Sequence, residues 1–213
     1  IKQGCVNKKM VLQGTVERAI QLLAALIRSW DQSKPLPSAL FSAVSPLFRL
    51  MLETDDNSAM QAGSGLLTLL LRRGKSQMLQ GKIQGRSVME VLSMVVNRLL
   101  SPNVTDYAAC EAGPLLTQLV FGMGKEIGQN AASSLVSATA KRLVRAEKPV
   151  LIASLVTFLA HVVKALGPNR MLSALENVDS KNNIMPLVMT KWVMTHGDFY
   201  SCYAQKCSLI ALG

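Results

Sequence analysis

The chain is 213 residues long, 49% apolar, and carries 23 Lys and Arg against 13 Asp and Glu, a formal net charge of +10. That much apolar material excludes global disorder. Only 5% of residues are aromatic and the apolar set is mostly Leu, Val, Ala, Met and Ile, with no run alternating at period two, so helices are expected and no strand is.

The first expected helix covers Val16 to Trp30, with Val16, Ala19, Ile20, Leu23, Leu26, Ile27 and Trp30 on one stripe. Lys34-Pro35-Leu36-Pro37 ends it, because proline has no amide donor and restricts the residue before it. A second helix follows to about Leu52, with Pro46 expected to bend it. Thr54-Asp55-Asp56-Asn57 is a helix-start signal: short polar side chains accept orphan amides, and negative charge suits the positive end of the dipole. The helix that follows is expected over Met60 to Arg73, and Gly74 to Gly85 reads as a polar loop. Val88, Val91, Leu92, Val95 and Leu99 share one face of the next helix, which Ser101-Pro102-Asn103 closes.

Two further helices are expected over Thr105 to Gly124, with Pro114 inside, and Asn130 to Ala146. In the latter, Ala132, Leu135, Val136, Thr139, Leu143 and Val144 form a stripe, with Lys141, Arg142 and Arg145 assigned to the opposite, solvated face. A helix from Pro149 turns at Gly167-Pro168 into a second one over Met171 to Val178. The last two helices begin near Pro186 and turn at Gly197-Asp198.

These helices come in pairs whose starts, Thr15, Asp55, Thr105, Pro149 and Pro186, are 40, 50, 44 and 37 residues apart. Spacing of this order is that of HEAT or armadillo arrays, in which a unit buries its apolar face only by stacking on its neighbours. The expected fold is therefore all-α: a HEAT-repeat α-solenoid, a right-handed superhelical stack of about five antiparallel helix pairs. The pairs are placed at 15–53, 55–101, 105–147, 149–178 and 186–213, within a single solenoid fragment over 1–213. Neither end has the polar face of a capping repeat, so the chain is expected to be a piece of a longer protein.

No residue is nominated for chemistry. Gly74-Lys75-Ser76 resembles the end of a phosphate loop, but Leu69 stands where that pattern needs glycine, and a helix leads in. Gly122, Gly124 and Gly128 are spaced wrongly for a dinucleotide loop and read as a turn. His161 and His196 have no Cys, Asp or second His at ligand spacing, so no metal is expected and both read as core or turn histidines. Cys5, Cys110, Cys202 and Cys207 form no CxxC pair, and Cys202 and Cys207 lack an evident base, so reduced, non-catalytic thiols are expected. The apolar run Val150 to Val163 is shorter than a membrane span and reads as a buried helix. Catalytic, cofactor and metal residues are thus none, and no cargo-binding residue is nominated.

The basic residues gather in two groups: Arg72, Arg73, Lys75, Lys82 and Arg86, then Lys141, Arg142, Arg145 and Lys148. Either group suits phosphates or an acidic partner. Neither is interleaved with aromatics, so base stacking has little support and nucleic acid is not the favoured partner.

Three stretches, in order, resemble importin-9-like nuclear transport receptors of the karyopherin-β family. They are Thr54-Asp55-Asp56-Asn57-Ser58-Ala59-Met60-Gln61-Ala62-Gly63, then Gly124-Lys125-Glu126-Ile127-Gly128-Gln129-Asn130, then Pro186-Leu187-Val188-Met189-Thr190-Lys191-Trp192 with Phe199-Tyr200-Ser201-Cys202-Tyr203. The resemblance covers Thr54 to Gly213 and implies the C-terminal portion of a HEAT-repeat import receptor. It further implies basic protein cargo such as histones and ribosomal proteins, phenylalanine-glycine nucleoporins as pore contacts, and shuttling between cytoplasm and nucleus. Control by GTP-bound Ran is implied too, mainly through N-terminal repeats that this chain lacks. No enzyme activity, cofactor or membrane insertion is implied. The rival expectations are a HEAT scaffold outside transport and, behind it, a basic nucleic-acid-binding module.

Overall fold

The computed structural model describes residues 2–83, 85–122, 124–176, 184–199 and 201–212, with the backbone alone at 2–13, 75–77, 79 and 124–130. The expected close of a helix at Val178 therefore lies outside the described residues, as do Met123 and Tyr200 and the side chains of Cys5, Lys75 and Ser76. The fold is all-α, with helices stacked in the manner of HEAT repeats inside each of two compact units, Ile1–Arg98 and Leu99–Gly213.

In the first unit, α1 (Lys2–Ser29) lies against α3 (Asn57–Gln80), and α2 (Ser38–Glu53) also packs on α3. α1 begins well before the expected Val16, because Gly4 and Gly14 weaken a helix by about 1 kcal/mol each without forbidding it. Ile20, Ala24 and Ile27 of α1, Val44, Leu47, Phe48 and Met51 of α2, and Leu66, Leu67 and Leu70 of α3 are buried. Their spacings of three and four residues put each set on one helical face. α2 runs through Pro46 to its C-cap at Thr54. Asp56 then caps α3, its side chain accepting from the Ala59 amide at 3.0 Å.

The expected loop from Gly74 is not a loop. α3 continues to Gln80 across one kinked residue, Gly74, at φ −128° and ψ 32°. A Cβ there would stand 2.5 Å from Cζ of Phe41, so this glycine is required by the close approach of α2 rather than by a turn. A two-residue hairpin follows, β1 (Lys82–Ile83) antiparallel to β2 (Arg86–Ser87), with Gly85 at φ 82° in its turn. The sequence showed no strand because two residues per strand are too few for a period-two pattern. α4 (Val88–Leu99) follows, with Val88, Val91, Leu92, Val95 and Leu99 buried as expected of that face.

In the second unit, residues 101–111 form successive turns, and the helix expected from Thr105 begins only at α5 (Ala112–Thr117). Pro114 sits in its first turn, where a missing amide costs little. α5 passes into a π-helical turn, Gln118–Gly122, and then α6 (Gly124–Arg145). α7 (Pro149–Leu166) is the centre of this unit, packed against α5, α6, α8 (Pro168–Glu176), α9 (Ile184–Thr195) and α10 (Cys202–Leu212). Gly113 lets α5 approach α7: its amide donates to Ser154 Oγ at 3.0 Å, and any Cβ would collide with the Ser154 carbonyl. α6 in turn packs on α8 and α9. Trp192 on α9, 1% exposed, donates from Nε1 to Ser208 Oγ of α10 at 2.6 Å.

At 18 residues, α7 is by length and composition able to cross a membrane, longer than the run expected from Val150 to Val163. Its apolar character is accounted for by its neighbours: Leu151, Ile152, Leu155, Val156, Phe158, Leu159, Ala160 and Val162 are all buried among helices of the same unit.

Candidate functional site

The last four carbonyls of a helix have no partner within it and carry the negative end of its dipole. Here cations from later helices supply the donors. In the first unit, Arg73 Nη2 donates to the carbonyls of Trp30 and Asp31, just past α1, at 3.2 and 3.1 Å. Arg98, at the end of α4, donates to the Leu52 and Thr54 carbonyls at the end of α2 and to the Asp55 carboxylate at 2.9 Å. In the second unit, Lys191 of α9 donates to the Val144 and Ala146 carbonyls at the end of α6, and Arg142 of α6 serves the turns that follow α4, donating to the Val104 carbonyl at 2.9 Å. Every one of these bonds spans 38 to 47 residues of chain, about one helix pair.

Arg142 corrects the sequence reading. Expected on a solvated face with Lys141 and Arg145, it is only 4% exposed and pairs with Asp106 at 2.7 Å. The signal was present: Arg142 follows Thr139 by three residues and precedes Ala146 by four, and both of those are fully buried. Asp106 escaped nomination because it is a lone acid in a run of turns. Its carboxylate also accepts from the amides of Glu147 and Lys148 at 2.6 and 2.8 Å. It thereby supplies the anionic cap that Lys148, preceding Pro149 at the start of α7, does not supply. Burial pushes the Asp106 carboxyl upward, but the amides of Lys148 and Glu147 and the Arg142 guanidinium outweigh it and hold the group below the usual carboxylate range.

Around this pair lies an open hollow of about 390 Å³, with Tyr107, Arg145, Glu147 and Lys148 among its walls. An apolar hollow of about 430 Å³ lies in the first unit between Leu26, Ile27, Trp30, Leu36 and Leu40. Of the other basic residues, Arg72, Lys82 and Arg86 are exposed, and Arg86 reaches Met94 Sδ at 3.1 Å.

The remaining singled-out residues stay apart. His161 Nε2 meets the Tyr203 hydroxyl at 3.1 Å and its ring faces Phe121 edge-on, a contact among α7, α10 and the π-helical turn. Burial, with Lys164 nearby, lowers its pKa. His196 Nδ1 meets Ser208 Oγ at 3.0 Å. Cys110, Cys202 and Cys207 are free thiols, and Cys110 is buried. Gly74 is the α3 kink, and Gly124 and Gly128 lie in α6. Among the described residues, no three or more His, Cys, Asp or Glu side chains cluster to hold a metal.

What this geometry defines is an all-α, HEAT-repeat-like stack of helices within each unit. No family model matches the chain. It is similar to Importin subunit beta-5 of Schizosaccharomyces pombe, 25% identical over 175 residues, which take in 80% of this chain and 17% of that relative. The chain thus spans about one sixth of that relative's length. The likeness supports kinship with the importin-β group and singles out no member within it.

Proposed function

We propose that this chain is part of a nuclear transport receptor of the importin-9-like kind, which binds basic proteins such as histones and ribosomal proteins and carries them through nuclear pores under control of GTP-bound Ran. The observation that carries the proposal is the similarity of 80% of the chain to an importin subunit, on a fold that is all stacked helices. Cargo is held noncovalently on the helix-stack surface, and the receptor shuttles between cytoplasm and nucleus. With a net charge of +10, this segment is poorly matched to basic cargo by overall charge complementarity. The apolar hollow beside Trp30 has the size and lining to take a phenylalanine side chain of a pore protein's phenylalanine-glycine repeats.

The test is capture from cell extract on the longest natural polypeptide that contains this segment, with and without GTP-loaded Ran. Basic nuclear proteins retained without Ran and released or altered by it are the expected result. A stable complex unchanged by Ran, with no Ran bound, would overturn the transport reading in favour of a scaffold that positions another protein.

A further inference from the structure

The second basic group of the sequence, Lys141, Arg142, Arg145 and Lys148, is divided by the fold into an internal and an external part. Arg142 is spent on Asp106 and Val104, both bonds leaving from Nη2, while its buried Nε has no hydrogen-bond partner. Lys141 and Arg145, four residues apart, are exposed on one side of α6, and Lys148 is exposed three residues past its end, at the start of α7. Arg145 and Lys148 then flank the hollow of about 390 Å³ whose floor is the Asp106–Arg142 pair. Because that pair is neutral overall, the excess charge of the rim is Arg145 and Lys148 against Glu147.

We propose that this hollow is a docking point for an acidic polypeptide segment, taking one side-chain carboxylate between Arg145 and Lys148, with Lys141 receiving a neighbouring acid one helical turn away. The size suits a single side chain rather than a duplex or a continuous strand. Tyr107, the aromatic residue of the wall, has the Lys148 ammonium 5.8 Å from its ring centroid, so that face is not free to stack on a base. Asp106 and Glu147 in the walls oppose an unbroken row of phosphates, whereas an isolated carboxylate brings a single charge to Arg145 and Lys148. The net charge of +10 guides an acidic partner to this surface from a distance, and the rim fixes where it lands. The assignment holds whether or not the chain serves transport.

The experiment is fluorescence anisotropy of a labelled octaglutamate peptide titrated with the full chain at low and physiological salt. Binding that weakens with salt is expected, and the double variant Arg145→Gln/Lys148→Gln should weaken it by about fivefold or more, the scale of two exposed charge contacts. Glu147→Gln, which removes the rim carboxylate, should tighten it. The control is Lys82→Gln/Arg86→Gln on the hairpin of the first unit, which should leave binding unchanged; circular dichroism checks that each variant keeps its helices. The proposal is overturned by an absence of binding, or by equal weakening in the control. It is also overturned if an oligonucleotide of the same charge displaces the peptide and shows the same dependence on Arg145 and Lys148.

Discussion

Replacing Asp106 with Ala removes one member of a nearly buried ion pair and leaves Arg142, 4% exposed, charged and without its carboxylate. Breaking such a pair from one side costs about 3–5 kcal/mol, mostly the penalty of the stranded charge. The amides of Glu147 and Lys148 also lose their acceptor at the start of α7, the helix on which α5, α6, α8, α9 and α10 all pack. Against a domain stability of about 5–15 kcal/mol, this is a large fraction. Adding Arg142→Met should return more than half of the loss, because the stranded charge is then gone and a side chain of similar length fills the space. The chain has two tryptophans, and only Trp192 lies in the second unit, so its fluorescence in a Trp30→Phe background follows urea unfolding of that unit. The depressed Asp106 pKa adds a pH signature. Its stabilisation is complete above the unfolded carboxyl value of about 3.9 and is lost as pH falls through the lower folded value; Asp106→Ala should lack that acid loss. A cost under about 1 kcal/mol, or a double variant as damaged as the sum of the two singles, would refute the reasoning.

Three other outcomes are expected. The lowered pKa of His161, caused by burial and by Lys164, means that the unfolded chain takes up its proton first. The second unit should therefore lose stability as pH falls from about 6.5 through the folded value, and His161→Gln should flatten thermal unfolding across that window. Burial and the adjacent Glu111 push the Cys110 thiol up to about 11, so at pH 8 iodoacetamide should label exposed Cys202 readily and Cys110 only after denaturation, read by peptide mass spectrometry. Gly113→Ala drives a methyl into the Ser154 backbone and should lower stability by about 1–3 kcal/mol; Gly63→Ala meets mainly the flexible Met51 sulfur and should cost clearly less in the same melt.

The helices that the sequence made legible are those whose buried face is a clean stripe. α4 lies where Val88, Val91, Leu92, Val95 and Leu99 put it, and α7 starts at the Pro149 that marked it. What stayed hidden depends on a second element. Gly74 reads as the start of a loop until Phe41 is seen against it, and Gly113, inside an expected helix, has no visible reason to be glycine until Ser154 is. Arg142 reads as surface charge because its partner, Asp106, is 36 residues away in a turn with no periodicity of its own. The hollow beside it was half legible: the cations were in view, but not the wall that gathers two of them around one opening.

The reach of the helix-end clamps has a consequence for how such a chain comes into being. Arg73, Arg98 and Lys191 each close a loop of about forty residues, and none waits for a partner from the opposite end of the polypeptide. Closing loops of this size costs less entropy than a closure across the whole chain would, and low contact order goes with fast folding. As synthesis proceeds, each helix end can be satisfied soon after the next pair emerges, so ordered structure grows behind the ribosome in steps of one pair. Damage is graded by the same geometry: losing one clamp frees the helix end it served, while the neighbouring closures, made by other residues, stay intact.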